Sequence, residues 1–162
     1  LALLKEHYVP LGLGTKIKTN MPVHPFLEKM NQTPHAKQLG IQLVSAEKNT
    51  VTLKLPFNDA IIGDPISRVI HGGAITTLID TASGASVFQA QDNLRALATL
   101  DLRVDYSRPA ATGEDVYAVA ECYQMTHSIA FSRVTVFTTD SKKPIATALA
   151  TFMRSNKAFP VG

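Results

Sequence analysis

Alternation of apolar and polar positions runs through most of this chain and is interrupted once by a helical period. Gly40 opens a strand signal, Ile41-Gln42-Leu43-Val44-Ser45-Ala46. Val51-Thr52-Leu53-Lys54-Leu55 then alternates cleanly, with Asn49-Thr50 as the expected turn. A loop containing Asn58, Gly63, Asp64 and Pro65 leads to His71-Gly72-Gly73, and there the period changes. Ile75, Leu78, Ile79, Ala82 and Ser86 fall at i, i+3, i+4, i+7 and i+11, which stacks them on one face of a helix. From Gly72 to Gln91 the sole charged residue is Asp80. A surface helix would carry several Lys and Glu residues, so this one is expected to be covered on nearly all sides. Four more strands are predicted at about 95–106, 115–126, 129–139 and 144–154, with Gly113 and Asp140-Ser141-Lys142-Lys143-Pro144 marking two turns.

The order is strand, strand, long helix, then four strands. Consecutive strands joined by short turns predict an antiparallel sheet, and one long helix among them makes the fold class α+β. Residues 1–22, broken by Pro10, Gly12, Gly14, Asn20 and Pro22, read as a peripheral segment. Short helical stretches are expected around His24–Met30 and Pro34–Leu39. One domain is then expected over 23–156, with 157–162 as a tail.

Composition narrows the function classes. The 162 residues suffice for one domain with a real core, and 45% apolar with 18% charged residues describes a globular protein. The net charge of +3 comes from scattered Lys and Arg, which gives no basic arm for nucleic acid. Cys122 is the only cysteine; it excludes an intramolecular disulfide and a Cys-rich metal site, and its alternating surroundings make it a sheet-face residue. The five histidines lack the HxH and HxxxH spacings that hold metals, and neither a GxSxG elbow nor a P-loop is present. Leu1–Leu4 is too short for a secretory hydrophobic region, and no stretch approaches the roughly 18 apolar residues of a membrane span. The expected location is cytoplasmic, with no membrane partner.

Two features on the central helix carry chemistry. Asp80 points away from the Ile75/Leu78/Ile79/Ala82 stripe, toward the side of Thr76, Thr77, Gly84 and Val87. A carboxylate on a covered helix needs a partner or a task. It can be a general base or nucleophile, or it can anchor the helix to a Thr, Arg103 or Arg108; both readings stand at this point. Gly72 and Gly73 sit where loop becomes helix. Backbone N–H groups there have no intrahelical partner, so the pair is either an oxyanion site or a tightly packed helix start. Eight residues separate Gly72 from Asp80, roughly 12 Å along a helix. One substrate carbonyl could touch both only if they came from two subunits with antiparallel central helices.

The run His71-Gly72-Gly73-Ala74-Ile75-Thr76-Thr77-Leu78-Ile79-Asp80-Thr81-Ala82 resembles the HGG(x)6D(T)A signature of hotdog-fold thioesterases of the phenylacetic-acid-degradation (PaaI) type. Thr99 to Ala110 and the Ala-rich ending from Ala146 to Phe152 are similar to that family's later strands, so the resemblance spans about 40–154. It implies a long central helix wrapped by a curved antiparallel sheet, and hydrolysis of acyl-CoA to a carboxylic acid and free CoA without metal or cofactor. It implies a homodimer or homotetramer, with Asp80 as the catalytic carboxylate, Gly72 as the oxyanion donor and Gly73 beside it. His71 shapes the turn, and Thr99 helps position water or carboxylate. Many members place an Asn six or seven residues before the His, where this chain has Asp64 and Pro65. Arg68 and Arg108 are the candidate contacts for CoA phosphates. The same fold also serves non-catalytic acyl-CoA-binding or regulatory modules, and hydratases or dehydratases that pair a His with an acid in motifs not found here.

Overall fold

A computed structural model describes residues 23, 27, 30, 32–93, 95–110 and 112–158, and the expectations for 1–22 and 159–162 lie outside the described residues. Of the expected stretch at His24–Met30, only Leu27 and Met30 are described as helical. Helix α1 spans Pro34–Leu39. Thr33 caps it by accepting the Ala36 N–H, and Gly40 ends it at φ 69°, a left-handed conformation that glycine adopts without steric cost. Strands β1 (Gln42–Ala46) and β2 (Thr50–Leu55) precede helix α2 (Gly72–Ala90). Strands β3 (Arg95–Tyr106), β4 (Val116–Met125), β5 (Ile129–Phe137) and β6 (Ala146–Ala158) follow. β6 continues two residues past the expected domain boundary because Arg95 of β3 pairs with Ala158.

All six strands pair antiparallel in one sheet, in the order β1-β2-β4-β5-β6-β3. The sheet wraps α2, whose Ile75, Leu78, Ile79 and Ala82 are buried. Each large apolar side chain contributes about 1.5–3 kcal/mol by leaving water. Alanines at Ala118, Ala120, Ala146, Ala148 and Ala150 face inward and are buried, so the helix can lie close on β4 and β6. A buried hydrogen bond of 3.1 Å between the Ser86 and Ser132 hydroxyls ties α2 to β5. Cys122 is buried on β4, where loss of water pushes its thiol pKa up.

The long helix is less enclosed than its composition predicts. Gly72 and Gly73 are exposed, and Thr76, Thr77, Asp80, Thr81 and Gly84 are half-buried. One sheet covers one side of a helix. The side made of small and hydroxyl residues is left open in the single chain.

Candidate active site

The loop before α2 sets where the helix begins. A bridge between Ile62 and Ile70, with Gly63 N–H on the Val69 carbonyl (2.8 Å) and His71 N–H on the Ile61 carbonyl (2.8 Å), closes residues 63–70 into a compact hairpin. His71 is the N-cap residue, and its Nδ1 accepts the Gly73 N–H at 2.9 Å. Ala74 N–H reaches the His71 carbonyl at 3.0 Å. Gly72 N–H, at the first helical position, has no hydrogen-bond partner among the described residues. It sits exposed at the positive end of the helix dipole, an arrangement that receives negative charge. On the other side of Gly72, its carbonyl accepts from Tyr106 Oη at 2.8 Å and from Thr76 Oγ1 at 3.0 Å.

Two turns further along, Thr99 Oγ1 donates to Asp80 Oδ1 at 3.0 Å. A bulge in β3 makes that contact. The register with β6 shifts between Thr99 and Asp101, so Thr99 opposes Phe152, Asp101 opposes Thr151, and Leu100 is the extra residue. Leu97 and Thr99 face α2 on one side of the bulge, and Leu102 and Val104 do so on the other, while Leu100 turns outward at 55% exposure. Bulges re-aim side chains in this way next to sites. Asp80 makes no ion pair among the described residues. Arg103 pairs with Asp105 at 3.2 Å, and Arg108 donates to the backbone carbonyls of Pro144 and Lys143. The anchoring partner left to Asp80 is a threonine hydroxyl on one oxygen. The other is free to act as base or nucleophile.

A cavity of about 500 Å³ opens beside Asp80, in the size range of small-molecule pockets. Its helix wall is Thr76, Thr77, Asp80 and Thr81, and Thr99 and Leu102 come from β3. The opposite wall is built by Met30, Thr33, His35 and Ala36, with Ile41 at its edge. Thr76, Thr77 and Thr81 each donate to a carbonyl one turn back, at 3.0, 2.9 and 2.7 Å, which leaves their methyl groups to line the space.

The other expected contacts are engaged within the chain. Asp64 accepts from Ile66 N–H (3.0 Å), Ser67 N–H (3.2 Å) and the Ser67 hydroxyl. That hydroxyl, followed by the two backbone donors, holds the Asp64 carboxyl below the usual carboxylate range. An ionised carboxylate only accepts, so Asp64 caps its own turn and does not supply the donor an Asn would. Asn58 likewise caps the 3₁₀ turn Asp59–Ile61 by accepting from Ala60 N–H at 2.9 Å. Arg68, at φ 56°, pairs with Asp59 at 2.6 Å.

The chain is similar to known proteins. A family profile described as Thioesterase superfamily matches residues 68–145, which include the whole of α2 and its cap. A putative esterase of Halobacterium salinarum is 32% identical over 103 residues, 62% of this chain and 67% of that protein. The chain is a hotdog-fold thioesterase. The medium/long-chain acyl-CoA thioesterase YigI of Escherichia coli K12 is 29% identical over 133 residues, covering 74% of this thioesterase and 84% of YigI. A Pseudomonas aeruginosa crystal structure has 40% identity and a TM-score of 0.75, covering 83% of this chain and all of that one. The PaaI protein of the E. coli phenylacetic acid degradation operon shares the fold at a TM-score of 0.68 and 18% identity, covering 85% and 99% of the two chains.

In this thioesterase the cavity wall of Met30, Thr33, His35 and Ala36 has no signal in the sequence, because these residues carry no motif. Tyr106 lies inside the family-like stretch, but nothing in the pattern ties its hydroxyl to Gly72, 34 residues away.

Proposed function

We propose that this thioesterase hydrolyses acyl-CoA, with Asp80 of one subunit and the Gly72 N–H of another acting on the same thioester. The observation that carries the reading is a carboxylate with one oxygen held by Thr99 and no ion pair among the described residues, set on the wall of a cavity. The acyl group occupies that cavity. Either water, giving its proton to Asp80, attacks the carbonyl carbon, or the carboxylate attacks it and water then cleaves the resulting anhydride. In both routes the carbonyl oxygen gains negative charge, the C–S bond breaks, and CoA leaves as the thiol with a proton that comes from water. The oxyanion is received by the Gly72 N–H at the positive end of a helix. Free CoA chemistry needs no metal in this scheme.

Two features support a second subunit. Gly72 and Asp80 lie roughly 12 Å apart along one rigid helix, too far for a single carbonyl to contact both. β3 is a 12-residue strand at the edge of the sheet, with its outer backbone groups unpaired and Leu100 and Tyr106 exposed. Such an edge is a template for pairing with another chain. Pairing β3 with its copy continues the sheet and brings the open faces of two α2 helices together. Arg108 is the better phosphate contact of the two arginines, because backbone carbonyls hold it without neutralising it, whereas Asp59 neutralises Arg68.

Thiol release from a panel of acyl-CoAs tests the activity, and Asp80→Asn lowers kcat by about 10²-fold or more. The subunit arrangement is tested with Gly72→Pro. Proline is favoured at the first helical position, and His71 at φ −62° and ψ 128° has the extended backbone a following proline requires. The variant therefore folds but lacks the N–H, at a cost of about 10²–10³ in kcat. Mixing Asp80→Asn with Gly72→Pro subunits restores about a quarter of the wild-type sites if each site spans two chains of a symmetric dimer. No restoration, or an active monomer by sedimentation, refutes the shared site.

A further inference from the structure

Two hydroxyls converge on a carbonyl whose backbone requirement is already met. The Gly72 carbonyl lies in the first turn of α2, where the Thr76 N–H is its ordinary partner four residues on. Tyr106 Oη and Thr76 Oγ1 reach the same oxygen at 2.8 and 3.0 Å, and the two hydroxyl oxygens are 2.7 Å apart. Each hydroxyl has one proton, and both are placed to donate it to the carbonyl, with each hydroxyl oxygen an alternative acceptor for the other. Tyr106 is the last residue of β3 and is 50% exposed, so burial of its ring does not account for this placement. A Cβ at Gly72 would lie 3.5 Å from Tyr106 Oη, which puts the tyrosine directly over that residue.

The first turn of this helix needs such a fixture. Two successive glycines have more backbone freedom than any other pair, and they stand where a helix frays. The His71 cap holds the Gly73 N–H, but nothing among the described residues holds the Gly72 N–H. Its direction is set by the peptide plane before Gly72 and by the position of the Gly72 Cα. The cap restrains that unit from one side and the Gly72 carbonyl restrains it from the other.

We propose that Tyr106, acting with Thr76, is a positioning residue for oxyanion stabilisation. Its hydroxyl ties the Gly72 carbonyl to the end of β3 and so holds the Gly72 N–H in the direction the transition state needs. The assignment rests on the reading of Gly72 as the oxyanion donor given above. Tyr106 does not touch the substrate in this role.

Tyr106→Phe removes the hydroxyl and keeps the ring. The variant is compared with wild type in thiol release from the best acyl-CoA substrate and in binding of two acyl-CoA analogues. One is a thioether without the carbonyl, which reports the ground-state seat. The other is a trifluoromethyl ketone, whose tetrahedral hydrate or adduct presents an ionisable oxygen where the oxyanion forms. The expected result is a kcat lower by about tenfold, less than the 10²–10³ for loss of a donor itself. KM and the thioether Kd stay within about twofold, and the ketone Kd weakens in step with kcat. An unchanged kcat in an active protein overturns the assignment alone. So does a fall in melting temperature accompanied by equal weakening of both analogues, which marks a structural role only. A wild type that releases no thiol from any acyl-CoA overturns the thioesterase reading and the assignment with it.

Discussion

Gly63 is the position where one methyl group separates a working loop from a displaced one. A Cβ built there would lie 2.8 Å from the His71 Cα, 3.1 Å from its N and 3.2 Å from its Cβ. None of these atoms is the end of a flexible side chain. The loop cannot retreat cheaply either, because Gly63 N–H is bonded to the Val69 carbonyl and the Ile62–Ile70 bridge holds the next residue. Bringing the nearest contact out to 3.4 Å moves the backbone by about 0.6 Å. Gly63→Ala is therefore an overpacking change, costing about 2 kcal/mol and lowering Tm by about 4–8 °C for a chain of this length. The displaced residue is the cap of α2 and the neighbour of Gly72. Misplacement on the order of 0.5 Å in a proposed oxyanion site lowers kcat about tenfold, given that 1 Å can cost 10². Gly113→Ala supplies the contrast: φ is +82° but nothing lies within 4 Å of the added Cβ. It costs about 1 kcal/mol through backbone strain and leaves kcat within about twofold. Calorimetry and thiol-release kinetics on the two variants decide the matter. A Gly63→Ala protein with wild-type Tm and kcat, or a Gly113→Ala protein equally impaired in kcat, refutes the reasoning.

Two further outcomes follow from other contacts. Thr99→Val keeps the shape and β-branching of the strand residue but removes the donor to Asp80; kcat falls about tenfold, from a charged hydrogen bond of about 1.5 kcal/mol, and Tm falls by no more than about 3–6 °C. An unchanged kcat would show that Thr99 does not hold the carboxylate during turnover. Asp115 links the sheet to the loop after β2, accepting from Phe57 N–H at 2.9 Å and pairing with Lys54 at 3.1 Å. Partial burial works to raise its pKa, but the Phe57 N–H and the Lys54 ammonium outweigh it and hold the carboxyl below the usual carboxylate range. A carboxyl depressed in the folded state stabilises the fold above its unfolded pKa and loses that contribution as pH falls through the folded value. Wild type should exceed Asp115→Asn by about 1 kcal/mol near neutrality, and the gap should close as the pH drops below about 4, as read from urea melts. A gap that persists in acid rejects the charge as its source.

Periodicity along the chain carried the sheet and the helix. Alternation in Val51–Leu55 and in the later strands and the i, i+3, i+4, i+7 stripe from Ile75 are local properties, and they survive in the structure to within a few residues. The HGG motif with Asp80 marked the helix and its start for a similar reason: caps and helix faces depend on neighbours a few positions away. Charges behaved differently. Asp64, Arg68 and Arg108 are free cations or anions in a sequence, but Ser67, Asp59 and the carbonyls of Lys143 and Pro144 engage them in the fold.

By itself, then, the order of residues determined which faces are apolar, where the long helix begins and which carboxylate it carries. The resemblance pointed to Thr99 as a positioning residue, but the contact itself is made by a bulge at Leu100 that shifts the strand register, which only the tertiary structure decided. Tertiary structure also decided that Tyr106 meets Gly72 and that Met30, Thr33, His35 and Ala36 wall the cavity. Those pairs lie far apart along the chain, and their meeting depends on register and packing summed over the whole sheet, which no local period encodes.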